Sequence, residues 1–153
     1  MNYTAKEIIL SWSDVSIYIT KISIELQTKI ISSSFEDYEI IAIGNGGIIP
    51  ATMLSYKLNI KPINIFPLID KRIISHKVPT LDPKKKYLLV DEIYDTGKTI
   101  DLVESCLTEM NCLKIFLLKR YKIDSIRDNE VCGKILNDSR WVIFPWEDQG
   151  DKL

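Results

Sequence analysis

Histidine and cysteine are scarce in this chain, and that scarcity removes whole classes of chemistry before any motif is read. The only histidine among 153 residues is His76. An HExxH metal site is therefore excluded, and a Ser-His-Asp triad would have to use that one residue, which lies in a polar, proline-bounded stretch that reads as a loop. Cys106, Cys112 and Cys132 are odd in number and include no CxxC pair. Neither a disulfide framework nor a zinc knuckle fits them, and they read as small core or surface residues. Charge of one sign is lacking too: 20 Lys and Arg stand against 21 Asp and Glu, a net charge of -1. With a pI near 5.9 there is no basic field to favour nucleic acid or an anionic membrane. No apolar run reaches the roughly 18 residues a spanning helix needs. The N-terminus lacks the charged-then-apolar layout of a signal, so a cytoplasmic protein is expected. Repeats, low-complexity tracts and linkers are absent as well. What remains is an ordinary globular composition, 46% hydrophobic and 27% charged, and a length that predicts one domain spanning 1–153.

The stretch that carries chemistry is Tyr87 to Thr99, YLLVDEIYDTGKT. Four apolar residues, Tyr87, Leu88, Leu89 and Val90, run directly into Asp91, Glu92 and Asp95, then Thr96, Gly97, Lys98 and Thr99, and then a helical pattern from Ile100 to Met110. A buried strand thus delivers carboxylates and a phosphate-sized loop to one sheet edge, where ligands bind in open α/β sheets. The GKT triplet is not a Walker loop, because Glu92 occupies the position where that pattern needs its first glycine. The backbone amides with the Thr96 and Thr99 hydroxyls suit a phosphate, and the two carboxylates suit a diol or Mg²⁺. Helix capping by the threonines and solvated charge on the acids are the bland alternatives.

Elsewhere the chain alternates. Ser11 to Asp14 offers N-caps for a helix from about Val15 to Ile30. Glu39 to Ile43 predicts a strand running into a loop, Gly44, Asn45, Gly46 and Gly47, that permits close backbone approach to a ligand. A helix over about Ile48 to Leu58 follows, with Pro50 in its first turn. Pro62 to Phe66, Lys114 to Leu118 and Val131 to Leu136 predict further strands, and the long polar segment 67–83 predicts a mobile functional loop. Strands alternating with helices predict an α/β fold around a mostly parallel sheet flanked by helices.

VDEIYDTGKT resembles the phosphoribosyl pyrophosphate (PRPP) signature of type I phosphoribosyltransferases: a hydrophobic strand, two acids, two variable residues and D-T-G-x-T. IGNGGIIPA, Lys119 after a strand, and RWVIFPWED near the end extend the resemblance toward the small xanthine-guanine and hypoxanthine enzymes. The resemblance implies a single domain with a lid over 67–83 and a base-binding hood over about 120–150. It also implies a purine phosphoribosyltransferase that moves a phosphoribosyl group from PRPP to a 6-oxopurine, with Mg²⁺ as cofactor and a homo-oligomer, dimer or tetramer, as assembly.

By the same resemblance Asp91 and Glu92 would hold the ribose hydroxyls, directly or through Mg²⁺. Residues Asp95, Thr96, Gly97, Lys98 and Thr99 would hold the 5′-phosphate, with Asp95 as the acid or base facing N7. Gly44, Asn45, Gly46 and Gly47 would form the pyrophosphate loop. Lys119 would donate to the exocyclic 6-oxygen, Trp141 would stack on or flank the ring, Val142 would offer backbone contacts, and Glu147 would support a second Mg²⁺ through water. Asn45 departs from the pattern, because the xanthine-guanine enzymes usually carry Arg or Lys before the second glycine. An amide can hydrogen-bond pyrophosphate but brings no positive charge. Two other readings stand beside this one: a catalytically weak PRPP-binding regulator, and a phosphoribosyltransferase for another base.

Overall fold

The computed structural model describes residues 6–30, 34–120 and 127–147. The chain begins with a short strand β1 (Glu7–Ile9) and a long helix α1 (Trp12–Lys29). Ser11 caps α1 in a reciprocal box: its hydroxyl accepts from the Asp14 amide at 3.1 Å while the Asp14 carboxylate accepts from the Ser11 amide at 2.8 Å. Its isoleucine-rich sequence is held helical by burial of Val15, Tyr18, Ile19, Ile22 and Leu26, a stripe at helical spacing. Ile17 and Ile24 lie outside that stripe and are exposed, which accounts for the mixed spacing in the sequence.

There follow β2 (Tyr38–Ile43), α2 (Gly44–Leu58), β3 (Ile63–Phe66), the pair β4 (Leu68–Ile69) and β5 (Arg72–Ile73), β6 (Lys86–Tyr94), α3 (Lys98–Cys106), β7 (Asn111–Arg120), β8 (Glu130–Leu136) and β9 (Trp141–Ile143). The central sheet has the order β3-β2-β6-β7-β8, and every pairing in it is parallel. Being covered on both sides, its inner strands carry continuous apolar runs, Ile40 to Ile43, Tyr87 to Val90 and Ile115 to Leu118, rather than alternating. Side-chain alternation divides them between two cores. Ile40, Ala42, Leu88 and Val90 join α1 and α2 on one face. Ile41, Ile43, Tyr87 and Leu89 join Ile100, Val103 and Leu107, on and just beyond α3, on the other. Burying one such aliphatic side chain is worth roughly 1.5–3 kcal/mol, so the sheet rigidly holds whatever its carboxyl edge presents.

Three boundaries differ from expectation. The helix expected from Ile48 starts at Gly44, so the glycine segment is its first turn rather than a separate loop, and Pro50 sits inside the helix. The strand expected to end at Val90 continues to Tyr94 and carries both acids within the sheet. The hood is not a C-terminal unit alone: β9 pairs in parallel with β1, matching Glu7 with Trp141 and Ile9 with Ile143. Segment 67–83 contains an antiparallel hairpin whose two turn residues, Asp70 and Lys71, have φ of 49° and 61°. Positive φ at both central positions is the signature of a type I′ turn. No helix among the described residues is long and apolar enough to cross a membrane.

Candidate active site

The carboxyl end of β6 is lined on one side by a cavity of about 290 Å³. Asp91, Glu92, Asp95, Thr96, Gly97, Lys98, Thr99, Gly44, Asn45 and Gly46 all line it. Gly47 is buried behind them. The Asp91 Oδ1 accepts from the Glu92 amide at 2.8 Å. Burial nevertheless pushes the Asp91 carboxyl up to about 7, with the Glu92 charge adding to it. Glu92 is likewise pushed up to about 7, by burial first and by the charge of Glu147 second, against a hydrogen bond with Trp146. A Cβ at position 46 would lie 2.7 Å from the Glu92 Cδ, so a side chain there would displace the Glu92 carboxylate.

The turn between β6 and α3 opens the helix without a strong side-chain cap. Gly97 caps α3 at φ 85° with no side-chain hydrogen bond to the helix start. The Thr96 hydroxyl accepts from the Lys98 amide only at a long 3.4 Å. The helix dipole at the first amides of α3 favours negative charge. The threonines do not cap the helix from the N-cap position. Tyr94, which sequence reasoning missed, supports this turn: its hydroxyl would lie 2.5 Å from a Cβ at position 97. Its ring packs edge-on against Phe116 at 5.2 Å. Lys71, at the hairpin turn, lines the cavity together with Lys98. These two are the cations facing Asp91, Glu92 and Asp95 among its lining residues.

A second, smaller cavity of about 110 Å³ adjoins the first and shares Glu92, Ile93 and Asp95 with it. Trp141, Val142, Phe144, Glu147 and Arg120 complete its lining. Trp141 is 66% exposed and Val142 is buried, so one presents a ring and the other mainly backbone. Phe144 stacks on Trp146 at 4.8 Å. The Glu147 Oε2 accepts from the Phe144 amide at 2.7 Å, which fixes its turn.

Lys119, expected to face a base, is not among the residues that line either cavity. It is 4% exposed, paired with Glu130 on β8, and stands 4.6 Å from the Tyr94 ring centroid. Burial pushes the Glu130 carboxyl up, but hydrogen bonds from Lys119 and the Arg127 amide outweigh it and hold the group below its ordinary range. The pair is satisfied internally, and the neighbouring Arg120 faces the cavity instead. A Lys-Arg dipeptide at a strand end sends its side chains to opposite faces. The sequence carries no sign of which faces inward without the buried acid opposite.

Among the described residues no three His, Cys, Asp or Glu side chains form a metal cluster. Asp91 and Glu92 nonetheless fit Mg²⁺. They are half-buried carboxylates with no ion-pair partner among the described residues. Mg²⁺ commonly takes one or two carboxylates and fills its shell with water and substrate phosphate.

A five-stranded parallel sheet with acids and a glycine turn on its carboxyl edge, under a two-stranded hood, is the fold of the type I phosphoribosyltransferases. No family model matches the chain. It is 26% identical over 118 residues to a xanthine-guanine phosphoribosyltransferase of Nitratidesulfovibrio vulgaris, covering 72% of this chain and 69% of the relative. It is 25% identical over 121 residues to that of Idiomarina loihiensis, covering 73% of each. A crystal structure of a purine phosphoribosyltransferase from Pyrococcus horikoshii superposes with a TM-score of 0.71 at 26% identity, covering 94% of this chain and 95% of that one. The fold alone is shared at 19% identity with a xanthine-guanine-hypoxanthine enzyme of Helicobacter pylori, TM-score 0.72, covering 92% and 93%. In sequence and in fold the chain is thus similar to purine phosphoribosyltransferases, small xanthine-guanine enzymes among them.

Proposed function

We propose that the chain transfers the 5-phosphoribosyl group of PRPP to a 6-oxopurine (hypoxanthine, guanine or xanthine), giving a nucleoside 5′-monophosphate and pyrophosphate, with Mg²⁺ as cofactor. The observation that carries this reading is the shared wall. An anion-binding cavity and an aromatic-lined cavity meet at Glu92 and Asp95, where the anomeric carbon of one substrate would face the nitrogen of the other.

In this mechanism the turn from Asp95 to Thr99 binds the 5′-phosphate through backbone amides and hydroxyls. Asp91 and Glu92 orient the ribose hydroxyls and would hold Mg²⁺, which when bound neutralises charge developing on pyrophosphate. Gly44, Asn45 and Gly46 at the start of α2, with Lys71 above them, receive the pyrophosphate. A ring nitrogen of the purine forms the new bond to the anomeric carbon as the bond to pyrophosphate breaks. The purine's proton passes to the Asp95 carboxylate, a role typically worth 10² to 10⁴ in rate. Trp141 flanks the ring and Val142 contacts its edge through backbone. Glu147, beside Glu92, would support Mg²⁺ through water.

Incubation with PRPP, Mg²⁺ and hypoxanthine, guanine, xanthine, adenine or uracil in turn, monitored by pyrophosphate release, tests the reading. Release with one or more 6-oxopurines, dependent on Mg²⁺, is expected. Tight PRPP binding without turnover of any base would overturn it in favour of a regulator, and turnover of uracil alone would reassign the base.

A further inference from the structure

We infer that the Tyr94 hydroxyl is a further donor to the 5′-phosphate, supplied from a position between the paired acids and the turn that the PRPP signature leaves variable. This deepens the proposed transfer from PRPP and rests on it.

Three observations carry the inference. Tyr94 is the last residue of β6 and pairs with Lys119 in the parallel ladder, so its backbone is set by the sheet and not by the turn that follows. Its ring is held on two sides, edge-on against the buried Phe116 at 5.2 Å and with the Lys119 ammonium 4.6 Å from its centroid. Its hydroxyl is uncommitted: it makes no hydrogen bond to any described residue. Among the described residues no fully buried side-chain oxygen or nitrogen lacks a partner, so this hydroxyl is open to solvent. The side chain lines the larger cavity together with Thr96, Gly97, Lys98 and Thr99.

The place of that hydroxyl gives the glycine of the turn a second reason. Gly97 opens α3 at φ 85°, and a Cβ on it would lie 2.5 Å from the Tyr94 hydroxyl oxygen and 3.0 Å from the ring carbon that bears it. The phenol thus fills the space beside the turn that a side chain at position 97 would claim. A phenol O–H donates to an anionic oxygen, and a ring already fixed by its neighbours loses little freedom when it does so. The 5′-phosphate keeps all its bonds during transfer, so a contact to it is equally strong before and at the transition state. Such uniform binding appears in KM and leaves kcat alone. If the ring served only as packing, removing the oxygen alone would change neither.

The test compares wild type, Tyr94→Phe and Tyr94→Leu in steady-state kinetics with PRPP and a 6-oxopurine, and in calorimetry with PRPP, guanosine 5′-monophosphate and pyrophosphate, each with Mg²⁺. Wild-type turnover of a 6-oxopurine is read first; its failure overturns the proposed function and this assignment with it. Given that turnover, Tyr94→Phe keeps the ring and removes only the oxygen. It should weaken PRPP and guanosine 5′-monophosphate, which share the 5′-phosphate, by about 10- to 100-fold, the range for a hydrogen bond to a charged group. KM for PRPP should rise in step, while kcat and pyrophosphate affinity change less than about threefold. The Tm of Tyr94→Phe should stay within about 3 °C of wild type; Tyr94→Leu, which also removes the ring, should lose both stability and binding. Unchanged affinity for both 5′-phosphate ligands in Tyr94→Phe would overturn the assignment and leave the ring as packing alone. Equal losses for all three ligands, or a fall in kcat without a rise in KM, would overturn it as well.

Discussion

Replacing Asp91 by Asn should make the ligand-free protein more stable at pH 8 and leave it nearly unchanged at pH 4. In the folded chain burial pushes the Asp91 carboxyl from 3.8 up to about 7. The native state then holds a proton that the unfolded chain releases between those values, so stability falls as pH rises through that window. The contribution from the protonated form is complete below about pH 3.8 and lost above pH 7. At about 1.36 kcal/mol per pH unit the ceiling is ~4 kcal/mol, and partial relaxation around the charge brings the expected gain of Asp91→Asn to about 2–4 kcal/mol at pH 8. For a chain of this size that is a rise in Tm of roughly 5–15 °C. Urea unfolding of both proteins at pH 4.5, 6 and 8, without metal or substrate, measures it directly. Mg²⁺ with PRPP should then stabilise wild type more than the variant at pH 8, because the cation compensates the charge that costs stability. A difference between the two proteins that does not grow with pH would refute the argument that Asp91 is a desolvated, uncompensated carboxyl.

Asn45→Arg should lower the KM for PRPP by adding a charge to the first turn of α2, and an unchanged or raised KM in initial-rate measurements would remove the position from the pyrophosphate site. Asp95→Asn should reduce kcat by about 10² or more while changing PRPP affinity little; equal losses in calorimetry and turnover would end its acid-base role. Glu130→Gln leaves Lys119 buried without its carboxylate and should cost about 3–5 kcal/mol in denaturant unfolding. A loss under 1 kcal/mol would mean the pair is not buried in solution.

The acids and the turn of Tyr87 to Thr99 were legible because local pattern alone defines them: an apolar run, then charge, then a glycine at which only a positive φ fits. The parallel sheet was legible from alternation of strands and helices for the same reason. Distance in sequence hid the rest. β1 is three residues long and acquires its identity as a strand only from β9, more than 130 residues away. The early start of α2 was masked by glycines, whose low helix propensity is overridden by packing against β6 and Glu92. The ion pair of Lys119 could not be read because its partner, Glu130, lies on another strand. The hairpin tip at Asp70 and Lys71 carries no glycine or asparagine to announce its turn.

The pairing of β1 with β9 has a consequence for how the molecule comes together. Because the roof of the base cavity joins the two ends of the described chain, its loop closure spans nearly the whole domain and carries the largest entropic cost of any contact in it. Local opening follows the same order in reverse, so amide exchange at Leu10 and Trp141, which hydrogen-bond across that seam, should be faster than at Leu88 to Val90 in the centre of the sheet. A base could then enter by brief parting of the seam while the phosphate-binding edge stays assembled beneath it.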